Sequence, residues 1–245
     1  MTEHNLTLSA TVGSTRKNEL MRGAKAARPV LLGFVPFALV LGAQASQKGL
    51  RVFEVALMTG LNFGGGSEFA AIEIWASPPQ VWVIVAMTLL VNSRHLLMGA
   101  TLAPYLKHLP LKKALPSLFF MCDESWAMGL DDAQRNRDHL GQPRFSLAYY
   151  LGLSLCLWLT WIIFTTLGAA IGPVLGDLHT YGFDMAFAAV FLVLLRGMWR
   201  GVRAALPWLF SLLTAALFYR LIPGGWYVLA GTSAGLVTAY LWAKS

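Results

Sequence analysis

Charge is scarce in this chain. Only 13% of its 245 residues are Asp, Glu, Lys or Arg, against 56% hydrophobic, and the mean hydropathy is +0.57. A soluble domain of this length needs far more charge to stay dispersed, so the composition excludes an ordinary soluble fold. Cysteine is nearly missing. Cys122 and Cys156 are the only two; they lack metal or disulfide spacing, sit in apolar surroundings and read as packing residues. No metal site and no cofactor is expected. No Gly-x-x-x-x-Gly-Lys-Ser/Thr loop occurs, which excludes ATP hydrolysis through that motif. No Ser/Pro-rich or acidic linker and no solenoid period divides the chain. Residues 1–28 are polar and basic without an apolar core, so they are not a cleavable signal peptide.

What is abundant is apolar sequence in bilayer-length runs. Windows cover residues 29–46, 52–76, 80–103, 147–171, 183–200, 204–221 and 226–242, and a weaker one, 114–130, contains Asp123 and Glu124. Nine tryptophans and fourteen phenylalanines suit lipid-facing and interfacial positions. The expected fold class is all-α: a polytopic integral membrane helical bundle with broken or re-entrant segments. Interruptions in both halves hint at an inverted repeat, although the halves share no residue-by-residue similarity. The expected organisation is a cytoplasmic N-terminal tail over 1–28, ending in a short interfacial helix over 17–27, and a single transmembrane transport domain over 29–245.

The net charge of +7 is carried in short segments beside apolar runs: Arg16, Lys17, Arg22, Lys25 and Arg28; Lys107, Lys112 and Lys113; Arg196, Arg200 and Arg203. This is the positive-inside distribution of a multi-pass membrane protein, with the N-terminus and the 196–203 turn cytoplasmic, and it argues against nucleic acid as a partner. The basic loop 104–113 also prefers the cytoplasm. It reaches that side only if 52–76 enters and returns as a re-entrant hairpin, with 114–130 re-entrant from the other side; two full crossings give the same topology elsewhere but place Lys107, Lys112 and Lys113 outside.

Window 52–76 is interrupted at its middle by Asn62-Phe63-Gly64-Gly65-Gly66-Ser67-Glu68. Adjacent glycines cannot sustain a continuous helix. Backbone opened at membrane depth must be buried in protein or line a watery cavity, as in transporters that hold a solute near mid-membrane. Asn62, Gly64, Gly65, Gly66, Ser67 and Glu68 are therefore candidate substrate ligands. The glycine N–H groups and a helix starting at Ser67 suit a carboxylate, and Glu68 suits an ammonium or a coupled proton. A zwitterionic amino acid presents both charges.

Each ionisable group at a membrane-helix centre costs about 2.5–3.5 kcal/mol unless it pairs or meets water. Glu68, Glu73, Arg94, His95, Asp123 and Glu124 form this small set. Asn92 and Arg94, in Asn92-Ser93-Arg94-His95, are further substrate candidates, Arg94 as a carboxylate fork or as the partner of Asp123, Glu124 or Glu68. Candidates for proton coupling are Glu68, His95, Asp123 and Glu124. The structural alternatives stand beside these readings: an internal ion pair for Arg94, a hydrogen-bonded packing residue for His95, a helix cap for Asp123 and Glu124, and a hairpin tip at the headgroups for Glu68.

At these residues the chain resembles the AzlC family of branched-chain amino acid permeases, the larger subunit of a two-component exporter. The matching stretches are Gly33-Phe34-Val35-Pro36-Phe37-Ala38 through Gly42, Phe63-Gly64-Gly65-Gly66-Ser67-Glu68-Phe69, Val91-Asn92-Ser93-Arg94-His95-Leu96-Leu97-Met98, Cys122-Asp123-Glu124-Ser125 and Phe183 to Phe191. Coverage runs from about Arg22 to the C-terminus. One departure stands out: the family usually reads Ala-Gly-Ala-Ser-Gln-Phe where this chain has Gly64-Gly65-Gly66-Ser67-Glu68-Phe69, which puts a leucine-like substrate in question. The resemblance implies a secondary transporter in the bacterial inner membrane that exports amino acids, branched-chain ones first, driven by the proton gradient. It also implies a small AzlD-type membrane subunit as partner, beside the amino acid substrate and membrane lipid.

Two other classes compete. An intramembrane enzyme would use Ser67 with His95, but the glycine usual after a nucleophilic serine is replaced by Glu68. A non-transporting assembly subunit would gain stability by losing its buried charges.

Overall fold

The computed structural model describes residues 2–107, 109–136, 141, 144–174, 192, 196, 199, 201–222 and 226–242, without the side chains of residues 2–15, 204, 228 and 229. Window 183–200, the Phe183 to Phe191 motif and Arg200 lie wholly or largely outside them. The described residues are helical, and among them there is no strand. Three helices, Arg16–Gln47, Val81–Leu106 and Leu147–Val174, are long and apolar enough to cross a membrane. The molecule is an all-α membrane protein.

The chain groups into two compact units, Met1–Gly65 with Asn92–Gly176 and Gly66–Val91 with Asp177–Ser245. The first unit is built on α1 (Thr2–Gln47) and α8 (Leu147–Ile171, extended by a 3-10 turn Gly172–Val174). These two helices run parallel. Gly23 lies against the backbone of Tyr149 and Leu153, Gly152 against Leu20, Gly168 against Leu39, and Gly42 against Thr165 and Ala169. A methyl group at any of these glycines would come closer than 3 Å to the other helix's backbone. Absent side chains are what allow the approach, the usual basis of helix association in lipid. The helix expected over 17–27 is thus part of a longer one, and its residues pack on α8: Ala27 is fully buried.

The remaining elements of this unit can be placed along α8. From the far end of α1, α2 (Val52–Asn62) runs back, with Thr59 Oγ1 2.9 Å from Thr165 Oγ1. Toward the Arg22 end, α5 (Arg94–Leu106) packs Met98, Leu102 and Leu106 with Met121 and Tyr150, and Tyr105 stacks on Phe145 at 5.5 Å. The loop after Leu106 therefore lies at the same end of this unit as Arg22 and Tyr149.

From that end α6 (Leu111–Phe119) turns inward, with the Tyr150 hydroxyl donating to the Ser117 carbonyl (3.0 Å) and Phe120 edge-on to Trp158 (5.2 Å). The chain then reverses at Phe120–Cys122, and α7 (Asp123–Arg135) returns to put Asp132 on Arg22. Segment 114–130 thus forms a helical hairpin, with Leu111 and Arg135 toward the same end of this unit.

The second unit holds α3 (Gly66–Glu73), α4 (Val81–Asn92, all but its last residue), α9 (Val202–Leu221) and α10 (Trp226–Trp242). The last two form an antiparallel pair. Gly231 and Gly235 face Ser211, and Tyr219 meets Tyr227 edge-on at 5.3 Å.

Candidate functional site

Three helices of the first unit are interrupted, and the interruptions converge beside the middle of α8. The first is the end of α2, where Phe63 takes a left-handed conformation (φ 47°, ψ 41°) and its N–H donates to Thr59. Left-handed φ is uncommon for a bulky residue and ends the helix there. Its surroundings enforce the turn. Phe63 is 3% exposed, Trp161 of α8 lies under Gly65, and the Trp161 ring packs against Phe34 (5.0 Å) and Phe37 (5.8 Å) of α1. The Trp158 indole N–H donates to the Gly60 carbonyl at 3.1 Å, in the last turn of α2, where a helix runs out of its own donors.

The second is a lapse of a single residue. Window 80–103 forms one membrane-length helix, Val81–Leu106, in which Ser93 (φ −55°, ψ −24°) alone leaves the α-helical pattern, between α4 ending at Asn92 and α5 beginning at Arg94. The cause is local competition for backbone groups. The His95 ring Nδ1 lies 3.1 Å from the Asn92 carbonyl, and Leu96 N–H donates to Ser93 rather than continuing the α-helical pattern across the turn. The third is the hairpin tip. Cys122 is extended (φ −126°, ψ 174°), its N–H donates to Ser125 Oγ (3.0 Å), and Asp123 and Glu124 occupy the first turn of α7.

Side chains tie the three together. Asn92 Nδ2 donates to Asn62 Oδ1 at 3.0 Å, and Arg94 Nη1 pairs with Asp123 Oδ2 at 2.8 Å. Of the carboxylates open to Arg94 on sequence grounds, Asp123 is the partner this pair shows. Asp123 and Glu124 lie in the first turn of α7, and Asp123 pairs with Arg94. His95 sits at the same turn. Asn92 Oδ1 and Arg94 Nε are buried atoms without a hydrogen-bond partner. Such atoms cost about 1–3 kcal/mol each to leave unmet, so both could take a further hydrogen-bond partner.

The electrostatics have two poles. The starts of α5 and α7, thirteen residues each, present positive dipole ends; the end of α2 presents a negative one. A small zwitterion fits that polarity.

Gly66, Ser67 and Glu68 open α3 in the second unit and are buried, Ser67 at 0% and Glu68 at 1% exposure. Glu68 is thus fully covered by the folded chain. Among the described residues no group of three or more His, Cys, Asp or Glu is arranged to hold a metal ion.

Sequence reasoning passed over the α8 contribution. Trp158, Trp161 and Thr165 share one helix face at i, i+3 and i+7, but every apolar membrane helix offers such triplets, so nothing distinguished this one.

The model of the family described as AzlC protein matches residues 29–175. Among curated relatives, the inner membrane protein YgaZ of Escherichia coli K12 is 25% identical over 153 residues, 62% of this chain and 60% of its own length. An uncharacterized membrane protein of Archaeoglobus fulgidus is 29% identical over 181 residues, 72% of this chain and 75% of its own. The branched-chain amino acid transport protein AzlC of Bacillus subtilis 168 is 26% identical over 174 residues, 70% of this chain and 64% of its own. The chain therefore spans less than two thirds of the length of the Escherichia and Bacillus relatives. No solved structure matches it. The family match covers more than half of the chain, including all three interruptions and the whole of α8, and on that ground the chain belongs to the AzlC family.

Proposed function

We propose that the protein is a secondary transporter that moves zwitterionic amino acids, branched-chain ones first, out of the cell across the inner membrane. The observation that carries this reading is the meeting of three interrupted helices at the Asn62–Asn92 and Arg94–Asp123 pairs, where Asn92 Oδ1 and Arg94 Nε are buried and unmet. Arg94 Nε is a donor suited to a substrate carboxylate, and Asn92 Oδ1 an acceptor suited to its ammonium. Apolar rings of Phe34, Phe37 and Trp161 beside the break suit an aliphatic side chain. The transport name of the Bacillus relative supports the same substrate class. Export is powered by protons, with Glu68, His95, Asp123 and Glu124 as the groups that exchange them, and a small AzlD-type membrane subunit assembles with this chain.

The test is counterflow in proteoliposomes containing the chain with and without that small subunit. Labelled leucine, isoleucine and valine should exchange against unlabelled substrate, and an imposed pH gradient should drive net flux. Absence of exchange for all three, with both subunits inserted, overturns the reading. Ser67→Ala should keep exchange; complete loss there points to the enzyme alternative.

A further inference from the structure

At the end of α7 away from the site lies a charge cluster that substrate binding does not use. Arg22 of α1 donates through Nε and Nη2 to the two oxygens of Glu19, at 3.0 and 2.7 Å. It also donates to both oxygens of Asp132, Nη2 to Oδ2 at 2.9 Å and Nη1 to Oδ1. The guanidinium carbon sits 4.1 Å from the centre of the Tyr149 ring. Asp132 is only 8% exposed and receives a further bond from Asn136 Nδ2 at 2.9 Å. Two-pronged guanidinium–carboxylate contacts of this kind are the strong, geometrically demanding class of ion pair.

The pair joins elements that differ in how firmly they are held. The backbones of α1 and α8 are locked by the glycine contacts at positions 23, 42, 152 and 168. The α6–α7 hairpin is attached to its neighbours mainly through side chains: Tyr150 to the Ser117 carbonyl, Trp126 to the Thr101 hydroxyl, Asp132 to Arg22 and Asp123 to Arg94, with the Arg144 N–H bonding the Ala133 carbonyl near its end. Beside the outer attachment is a cavity of about 420 Å³ lined by Glu19, Arg22, Asp132, Arg144 and Phe145 among others. The Arg22 side chain is 41% exposed there, so solvent has access to the pair. Helix α1 from Arg16 to Gln47 has 32 residues, about 48 Å, against about 30 Å of hydrocarbon. Arg22, near its start, is therefore placed at the headgroup or water level, where an ion pair can open without entering lipid.

From Asp132 to Asp123 is nine residues, about 13.5 Å along one rigid helix. A shift at the outer end is carried to the tip. We infer that the α6–α7 hairpin is a movable arm, that the Arg22–Asp132 pair is its latch, and that Arg22 is a positioning residue acting through α7 on Asp123 and Glu124. The inference rests on the proposed site at that tip for its functional meaning, but the latch itself is testable without transport.

Cys122, 8% exposed at the hairpin tip, is a native reporter, and Cys156 on α8 is the only other cysteine. In a Cys156→Ser background, N-ethylmaleimide labelling of Cys122 in membrane vesicles should be slow. Arg22→Gln and Asp132→Asn should each accelerate it about tenfold, the effect of losing a charge-assisted hydrogen bond on a local opening equilibrium. The exchange Arg22→Asp with Asp132→Arg should restore slow labelling. In the reciprocal background, Cys122→Ser, labelling of Cys156 should not respond to Arg22→Gln.

Unchanged Cys122 labelling in both single variants overturns the latch, as does an exchange variant no slower than they are. A parallel rise at Cys156 also overturns it, because it reports general loosening. Failure of amino acid counterflow in the parent protein counts against the transport reading alone and leaves the labelling result to decide the latch.

Discussion

Replacing Trp158 by Phe tests the idea that α8 shapes the break in α2. The substitution keeps an aromatic ring beside Phe120 and removes the N–H that satisfies the Gly60 carbonyl at 3.1 Å. In lipid no water stands ready to replace that donor, so the carbonyl carries a cost of about 1–3 kcal/mol. Losing the larger indole adds about 1 kcal/mol of packing at a half-buried position. If even 1.4 kcal/mol of this falls on the bound geometry of residues 62–65, apparent affinity drops about tenfold.

The assay has two arms: the leucine concentration giving half-maximal counterflow, and amide exchange of the peptide spanning residues 59–66. Trp158→Phe should raise the first about tenfold and speed the second, with maximal flux and insertion little changed. Trp158→His, which can still present a ring N–H, should recover part of both. Wild-type affinity together with wild-type exchange in Trp158→Phe refutes the reasoning.

Arg94→Lys keeps the charge that pairs with Asp123 but loses the planar fork and Nε. It should weaken substrate affinity by about 1–3 kcal/mol while leaving thermal stability nearly unchanged, read by counterflow and by melting in detergent. Gly168→Leu drives a side chain into the Leu39 backbone and should cost at least about 1–3 kcal/mol, seen as a lowered melting temperature and reduced expression; an unaltered protein speaks against the parallel α1–α8 contact. Glu68→Gln removes an ionisable group from a fully buried position and should flatten the response of export to an imposed pH gradient without affecting insertion. An unaltered response removes Glu68 from the coupling set.

Much of the fold could be read from hydropathy, because windows such as 147–171 and 226–242 are continuous apolar runs that have one stable form in lipid. The break after Asn62 was legible from its glycines, while for 114–130 the basic loop 104–113 suggested a segment that turns back without deciding against a full crossing. The break at Ser93 was hidden. It arises from a histidine ring against the carbonyl of Asn92, three residues back, and a polar tetrad inside an apolar run is equally compatible with an unbroken helix. The length of α1 was hidden for a different reason. Residues 17–27 read as a short interfacial helix ending a polar tail, but they belong to a longer helix held by glycine approach and by the Arg22–Asp132 contact, both of which depend on residues more than a hundred positions away. The partners of the site residues followed the same rule: Arg94 needed a carboxylate, and sequence alone offered three.

The described chain leaves the first compact unit between Gly65 and Gly66 and re-enters it between Val91 and Asn92. Each passage falls within two residues of a place where helical bonding lapses. The carboxamide bond from Asn92 to Asn62 ties these two passages, thirty residues apart in sequence, to each other. Breaking that one bond would loosen both lapses in helical bonding at once.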